Sequence, residues 1–265
     1  MGILQSRITP WAIVWAALLL VCLVAAIALR ASYTDFTKDQ EALMALRYSG
    51  SRFFAEMAHS TEEIPGGTFL DAEQVADGAE VIVECEFQGK REYVYQAFLS
   101  EVEVVRVLKG GEGLEGQVIS VFEPARIAGI DPGTWFPETQ DEWKGELSKH
   151  FGYQEGKPFY QVEPNGAYLY GGTMMAESGR YVLFLAKKAY SPYDDRTGKA
   201  QEYVLVNSPF AKLRIDSSKV SEGLDLPQEH ISLKESLAYE VLAADREALT
   251  AYWESKEEIL RSLKD

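Results

Sequence analysis

Four glutamates come closest to a chemistry by type and spacing: Glu84 and Glu86 in VIVECEF, and Glu101 and Glu103 in SEVEVVRVLKG. If the two runs pair as strands, alternation puts all four carboxylates on one outer face. Carboxylate oxygens clustered in this way suit Ca²⁺, which takes six to eight oxygen ligands. The competing reading is a solvated acidic face, partly neutralised by Lys212 and Arg214. No Asp-rich EF-hand loop occurs. His59, His150 and His230 are dispersed, and HExxH, CxxC and GxSxG are absent. Zinc hydrolysis and Ser-triad chemistry therefore have no support in the sequence, and no cofactor is expected. Residues Gly111 to Gly116 spell GxGxxG, but a strand pattern follows, not a helix whose N-terminus could face a phosphate. Glu112 and Glu115 would repel one, so a hairpin loop is expected there.

The second set of candidates is aromatic. Residues 126–175 hold Trp135, Trp143, Tyr153 and Tyr160 among further aromatics, interleaved with acids, Gly and Pro. Long insertions in compact domains are often functional, and aromatics anchor protein contacts or stack on sugars. The same side chains could instead close one end of a sheet.

Both sets must be positioned by strands. ADGAEVIVECEF, FLSEVEVVRVLKG, GQVISVFEP, SGRYVLFLAKK, EYVLV and AKLRI are short β-patterned runs split by Gly-rich or polar turns. Val81, Val83, Cys85 and Phe87 alternate with Glu84 and Glu86. The pattern slips at Val104-Val105 and Val107-Leu108, as at a β-bulge, a device that helps strands coil into barrels. Tyr181 to Leu185 and Tyr203 to Val206 are apolar on both faces, which predicts a covered outer surface.

Helices are expected on either side. Residues 8–30 carry a single charge, Arg30, at their end, and at about 1.5 Å per residue they span the roughly 30 Å hydrocarbon core. Trp11 and Trp15 suit the interface. A cleaved signal peptide, cut near Ala26-Ile27-Ala28, is the alternative. Thr37 to Gln40 has the form of a capping box, and Leu43, Leu46, Gly50, Phe53 and Met57 continue at helical spacing, predicting a helix from 38 to 58. Ser232 to Glu235 is a second box. Leu233, Leu237, Val241, Ala248, Tyr252, Ile259 and Leu263 then form one stripe, predicting a long C-terminal helix that packs in cis or drives self-association.

The net charge is −15, with 26 Lys and Arg against 41 Asp and Glu. Such a surface repels phosphate backbones, so nucleic acid is not an expected partner. Cys22 lies in the apolar segment and Cys85 on an apolar strand face, so no intrachain disulfide is expected.

The order of these runs, from Ala76-Asp77 through EVEVVRVLKG, VFEP, GRYVLFL, YVLV and KLRI, resembles bacterial extracytoplasmic domains related to the netrin-like and tissue-inhibitor-of-metalloproteinase OB-fold barrels. The resemblance covers about half the chain and implies a fold, not an activity. The animal inhibitors act through a free N-terminal Cys and several disulfides, which this chain lacks.

The expected fold is mainly β with flanking helices, built on an OB-like small β-barrel. Its parts are an N-terminal tail (1–7), a transmembrane helix (8–30), a juxtamembrane helical region (31–64), the barrel domain (65–220) with a long insertion (126–175), and a C-terminal amphipathic helix (221–265). The expected role is a single-pass, membrane-anchored extracytoplasmic protein that binds or scaffolds in the cell envelope. Its partners would be the membrane, an envelope protein or glycan, and a second copy through the C-terminal helix. The alternatives are an envelope-polymer hydrolase using carboxylates and a helix-mediated subunit of a membrane complex.

Overall fold

Residues 10–32, 36, 39–50, 52–59, 63–64, 67–130, 140–189, 201–216 and 231–264 are described by the structure, a computed structural model. The chain divides into two compact units, Met1–Leu43 and Met44–Asp265. Strand makes up 35% and helix 32%, so the class is mixed α/β and not mainly β.

The first unit holds helix α1, Pro10–Ser32, of 23 residues. Ten of its large apolar side chains are exposed, Trp11 and Trp15 among them. Among the described residues no helix is long and apolar enough to cross a membrane.

The expected helix over 38–58 is much shorter. Helix α2 spans only Gln40–Ala45. Asp39 caps it, its Oδ1 accepting from Ala42 N at 3.0 Å; the expected cap, Thr37, lies outside the described residues. The chain then runs into strand β1, Arg47–Tyr48. Tyr48 N donates to Ile231 O at 2.8 Å and Ser49 N to Val162 O at 2.9 Å. Distant backbone partners thus replace the i−4 carbonyls that a helix would have used. After a bridge at Phe53, a 3₁₀ turn covers Ala55–Ala58. A small hairpin of β2, Glu63–Ile64, and β3, Gly67–Thr68, follows, then a single turn, α3, Val75–Gly78.

Six strands make the main sheet: β4 (Val81–Val94), β5 (Ala97–Lys109), β6 (Val118–Glu123), β9 (Arg180–Lys187), β10 (Glu202–Leu205) and β11 (Lys212–Arg214). Their order is β10-β6-β5-β4-β9-β11, and β10 also pairs with β9. Five strands therefore close a ring-like circuit in which β10–β6 is the parallel pair. Register shifts in β5 fall beside Val105 and Leu108, where the sequence pattern slips. Cross-strand partners share a face. The inward face thus gathers Val83, Cys85, Val102, Val104, Ile119, Val121, Leu183 and Leu185, all buried. Residues 181–185 are buried on both faces, as their apolar pattern requires. Cys85 and Cys22 are free thiols, and burial, with Glu84 beside it, pushes the Cys85 pKa up.

The insertion forms its own layer. Strands β7 (Ala125–Ile130) and β8 (Phe159–Pro164) join β1 in a three-stranded sheet, order β1-β8-β7. Helix α4, Gln140–Phe151, lies between β7 and β8 in sequence.

The expected long C-terminal helix is broken. Ser232 does form its capping box, but the helix, α5, ends after Leu233–Ser236. A second helix, α6, starts at Arg246 with Asp245 as N-cap and runs to Ser262. Between them, Phe53 N donates to Leu242 O at 2.8 Å, Leu242 N to Gly171 O at 2.7 Å, and Ala244 N to Phe53 O at 2.9 Å. Three segments distant in sequence meet as strand-like partners there, and their hydrogen bonds override the helical stripe.

Candidate functional site

The four glutamates do share the outer face. Glu86 pairs with Glu103 and Glu84 with Arg106 across β4–β5. Cations are interleaved with them. Arg106 holds Glu84 at 3.0 Å, Arg180 holds its other oxygen, and Lys90 holds Glu101. Glu103 accepts from Gln88 at 3.2 Å. Among the described residues no group of three or more His, Cys, Asp and Glu could hold a metal ion. Lys212, expected to neutralise this face, is buried and faces the interior instead.

The aromatic candidates separate. Trp135 lies outside the described residues. Tyr153 is buried with Ile130, Leu147 and Phe159, and Trp143 packs against that cluster. Tyr153 meets Phe159 edge-on at 5.8 Å, and the Arg47 guanidinium lies 5.3 Å from the Trp143 ring. Tyr160, on β8, is half-buried against Gly129. Trp143 and Tyr153 therefore pack the insertion's own core, and the structure does not gather Trp143, Tyr153 and Tyr160 into one surface.

The sequence reading missed an ionic network inside the ring. Glu123, fully buried, accepts from Arg91 Nε at 2.9 Å and Nη2 at 2.7 Å, from Tyr168 OH at 2.9 Å, from Met175 N at 2.7 Å and from Ser100 Oγ. Glu240, also buried, accepts from Lys256 Nζ at 2.6 Å, Arg214 N at 2.8 Å and Tyr252 OH at 3.1 Å. Each carboxylate is satisfied, and breaking such a pair typically costs about 3–5 kcal/mol. Lys212 lies between the two centres, with Nζ 5.1 Å from the Tyr181 ring and 5.8 Å from that of Tyr168. Burial lowers its pKa to about 8, against the opposing pull of Glu240 and Glu123. Burial likewise raises Tyr48, Tyr168 and Tyr252, and pushes Tyr181 to about 12. Glu123 is fully buried with both oxygens occupied by protein donors, so this network supports the fold.

Room exists at the rim. A cavity of about 370 Å³ is lined by Tyr95, Gln96, Phe122, Asn165, Lys188 and Asn207, among others. Tyr95 and Gln96 are the two-residue turn between β4 and β5, at φ 52° and 59°. That is the type I′ geometry, which favours Asn-Gly. A side chain in the left-handed region costs about 1–2 kcal/mol per residue. Tyr95 is nonetheless 55% exposed, so its ring recovers little burial. Lys188 Nζ lies 4.9 Å from the Tyr95 ring and 4.8 Å from that of Phe122, bridging the two walls. Among the described residues, amides, one ammonium and aromatic rings line the site, and no Asp or Glu does.

Comparison with protein-family models, curated proteins and solved structures finds no match.

Proposed function

We propose that this chain is a membrane-anchored binding protein of the cell envelope, and that it holds a neutral saccharide in the cavity beneath Tyr95. The observation behind this reading is the strained Tyr95-Gln96 turn. Strain in a bulky, exposed residue is a reason to look for function. Aromatic faces beside amide donors and acceptors suit a polyhydroxylated ligand, and the volume lies in the range of small-ligand sites. The five-strand circuit closed by one parallel pair supports an OB-like barrel, a fold whose rim loops bind oligosaccharides. That support is analogy at the level of the fold. The net charge of −15 disfavours the other ligand class of that fold, nucleic acid.

Helix α1 is the proposed anchor. The basis is the sequence pattern: Ile8 to Leu29 carries no charge, as a membrane-spanning segment requires. The side chains from Val14 to Ile27 are apolar on every face, which suits a membrane span. The resemblance favours an extracytoplasmic body, which protease shaving of intact cells would test. A hydrolase would need two carboxylates roughly 5–10 Å apart in a cleft, and no Asp or Glu is among the described residues that line the Tyr95 cavity.

The test is calorimetric titration of the full chain with the N-acetylglucosamine tetramer. Saturable binding is expected, with Tyr95→Ala weakening it at least ~10-fold, about 1.4 kcal/mol, at unchanged melting temperature. Binding lost in Trp143→Ala but kept in Tyr95→Ala would move the contact to the insertion and overturn this placement.

A further inference from the structure

A second cavity, of about 420 Å³, lies between the end of α6 and the outer face of the ring. Among the described residues Arg106, Arg214, Lys256 and Lys264 line it, against a single carboxylate, Glu84. The whole chain has 26 cations against 41 acids, so this wall reverses the sign of the molecule. Its ion pairs do not cancel the excess. Arg106 and Arg180 share Glu84, Lys256 has Glu240, and Arg214 has Asp216 at 2.8 Å. Lys264 meets no carboxylate among the described residues. Among the described residues five cations thus share three carboxylates, leaving two positive charges over. The C-terminus of α6 opposes them with only about half a charge.

The Arg106 side chain is 59% exposed while it holds Glu84, which leaves guanidinium donors facing solvent. The rest of the wall is apolar. Leu260 and Leu263 come from α6, and Leu108 stands where the bulge shifts the β5 register. A cationic rim over a leucine-lined wall suits a ligand with an anionic head and an alkyl tail. At about 420 Å³, the cavity is near the lower end of the usual range for small-ligand sites, ~300–1,000 Å³, which favours one chain over two.

We propose that this cavity binds a single-chain amphiphilic anion, with a carboxylate or phosphate head between Arg106 and Lys264 and the tail along Leu108, Leu260 and Leu263. The source is either a free alkyl carboxylate or a headgroup presented by the bilayer. This site is separate from the Tyr95 cavity and does not depend on its ligand.

The experiment is equilibrium dialysis of radiolabelled decanoate against the full chain in phosphatidylcholine nanodiscs, with empty nanodiscs as the blank. About one decanoate per chain above the blank is expected. Arg106→Gln with Lys264→Gln should weaken it at least ~10-fold, and both side chains are at the surface, so the fold should survive. Leu260→Gln, a second variant, should weaken uptake by a similar factor. Phosphatidylglycerol in the discs displaces decanoate if the bilayer is the source and leaves it bound if the ligand is free; the site stands in both cases. Uptake no greater than the blank, or unchanged in the charge variant, would overturn the proposal. Displacement by millimolar inorganic phosphate would reduce the site to a plain anion site and overturn its amphiphilic part.

Discussion

Two neighbouring hairpins of the same ring solve the same backbone problem in opposite ways. Between β5 and β6 the chain turns through Gly110, Gly111, Gly113 and Gly116, all at positive φ. Between β4 and β5 it turns through Tyr95 and Gln96, also at positive φ, without a glycine. The first hairpin is built to fold. The second accepts a cost of about 1–2 kcal/mol per residue and displays a large ring over a cavity. Where one ring contains both solutions, the difference points to what the costly turn displays.

The largest expected effect is at Gly110. Its φ is +58°, and an added Cβ would lie 2.2 Å from the Glu80 carbonyl oxygen. Gly110→Ala should cost about 2–4 kcal/mol in chemical denaturation, from backbone strain plus the clash. A loss below about 1 kcal/mol would mean that this turn relaxes easily, and the contrast with Tyr95-Gln96 would weaken.

Cost inside the ring is electrostatic and should depend on pH. The folded pKa of Lys212 is about 8, below its value of 10.5 when exposed. The unfolded state therefore binds more protons between those values, and stability from this residue rises with pH across about 8 to 10.5. Above pH 10 the buried tyrosines, with raised pKa values, act in the opposite direction. Denaturation at pH 8 to 10 should show Lys212→Met losing a slope of up to ~1.4 kcal/mol per pH unit. Identical slopes would mean that Lys212 is not desolvated.

A smaller effect is expected at Gly113, at φ +84°, where an added Cβ would meet nothing within 4 Å. Gly113→Ala should cost about 1 kcal/mol from the backbone alone. Comparison with Gly110→Ala then separates strain from clash.

Much of the ring was legible. Alternation located the strands, the doubled valines at 104–105 marked a bulge, and the strand pattern after the GxGxxG string identified its hairpin. The helices were less legible. Leu233, Leu237 and Val241 fit a helical stripe, yet residues 239–244 pair with segments near 53 and 172. Local periodicity carries no information about partners nearly two hundred residues away. The candidate cavity was not legible at all, because EYVYQAF contains no Gly, Asn, Asp or Pro to announce a turn. Glu123 was hidden for a related reason. It closes a strand in VFEP like any polar terminus, and only the register that brings Arg91 and Ser100 to it reveals its burial.

The most direct measurement replaces the costly turn with the favourable one. Tyr95→Asn with Gln96→Gly should raise stability by about 1–2 kcal/mol, and saturable binding of the N-acetylglucosamine tetramer should disappear. Stability unchanged or lowered, with binding intact, would contradict the account: the turn would then carry no strain and Tyr95 would serve no ligand.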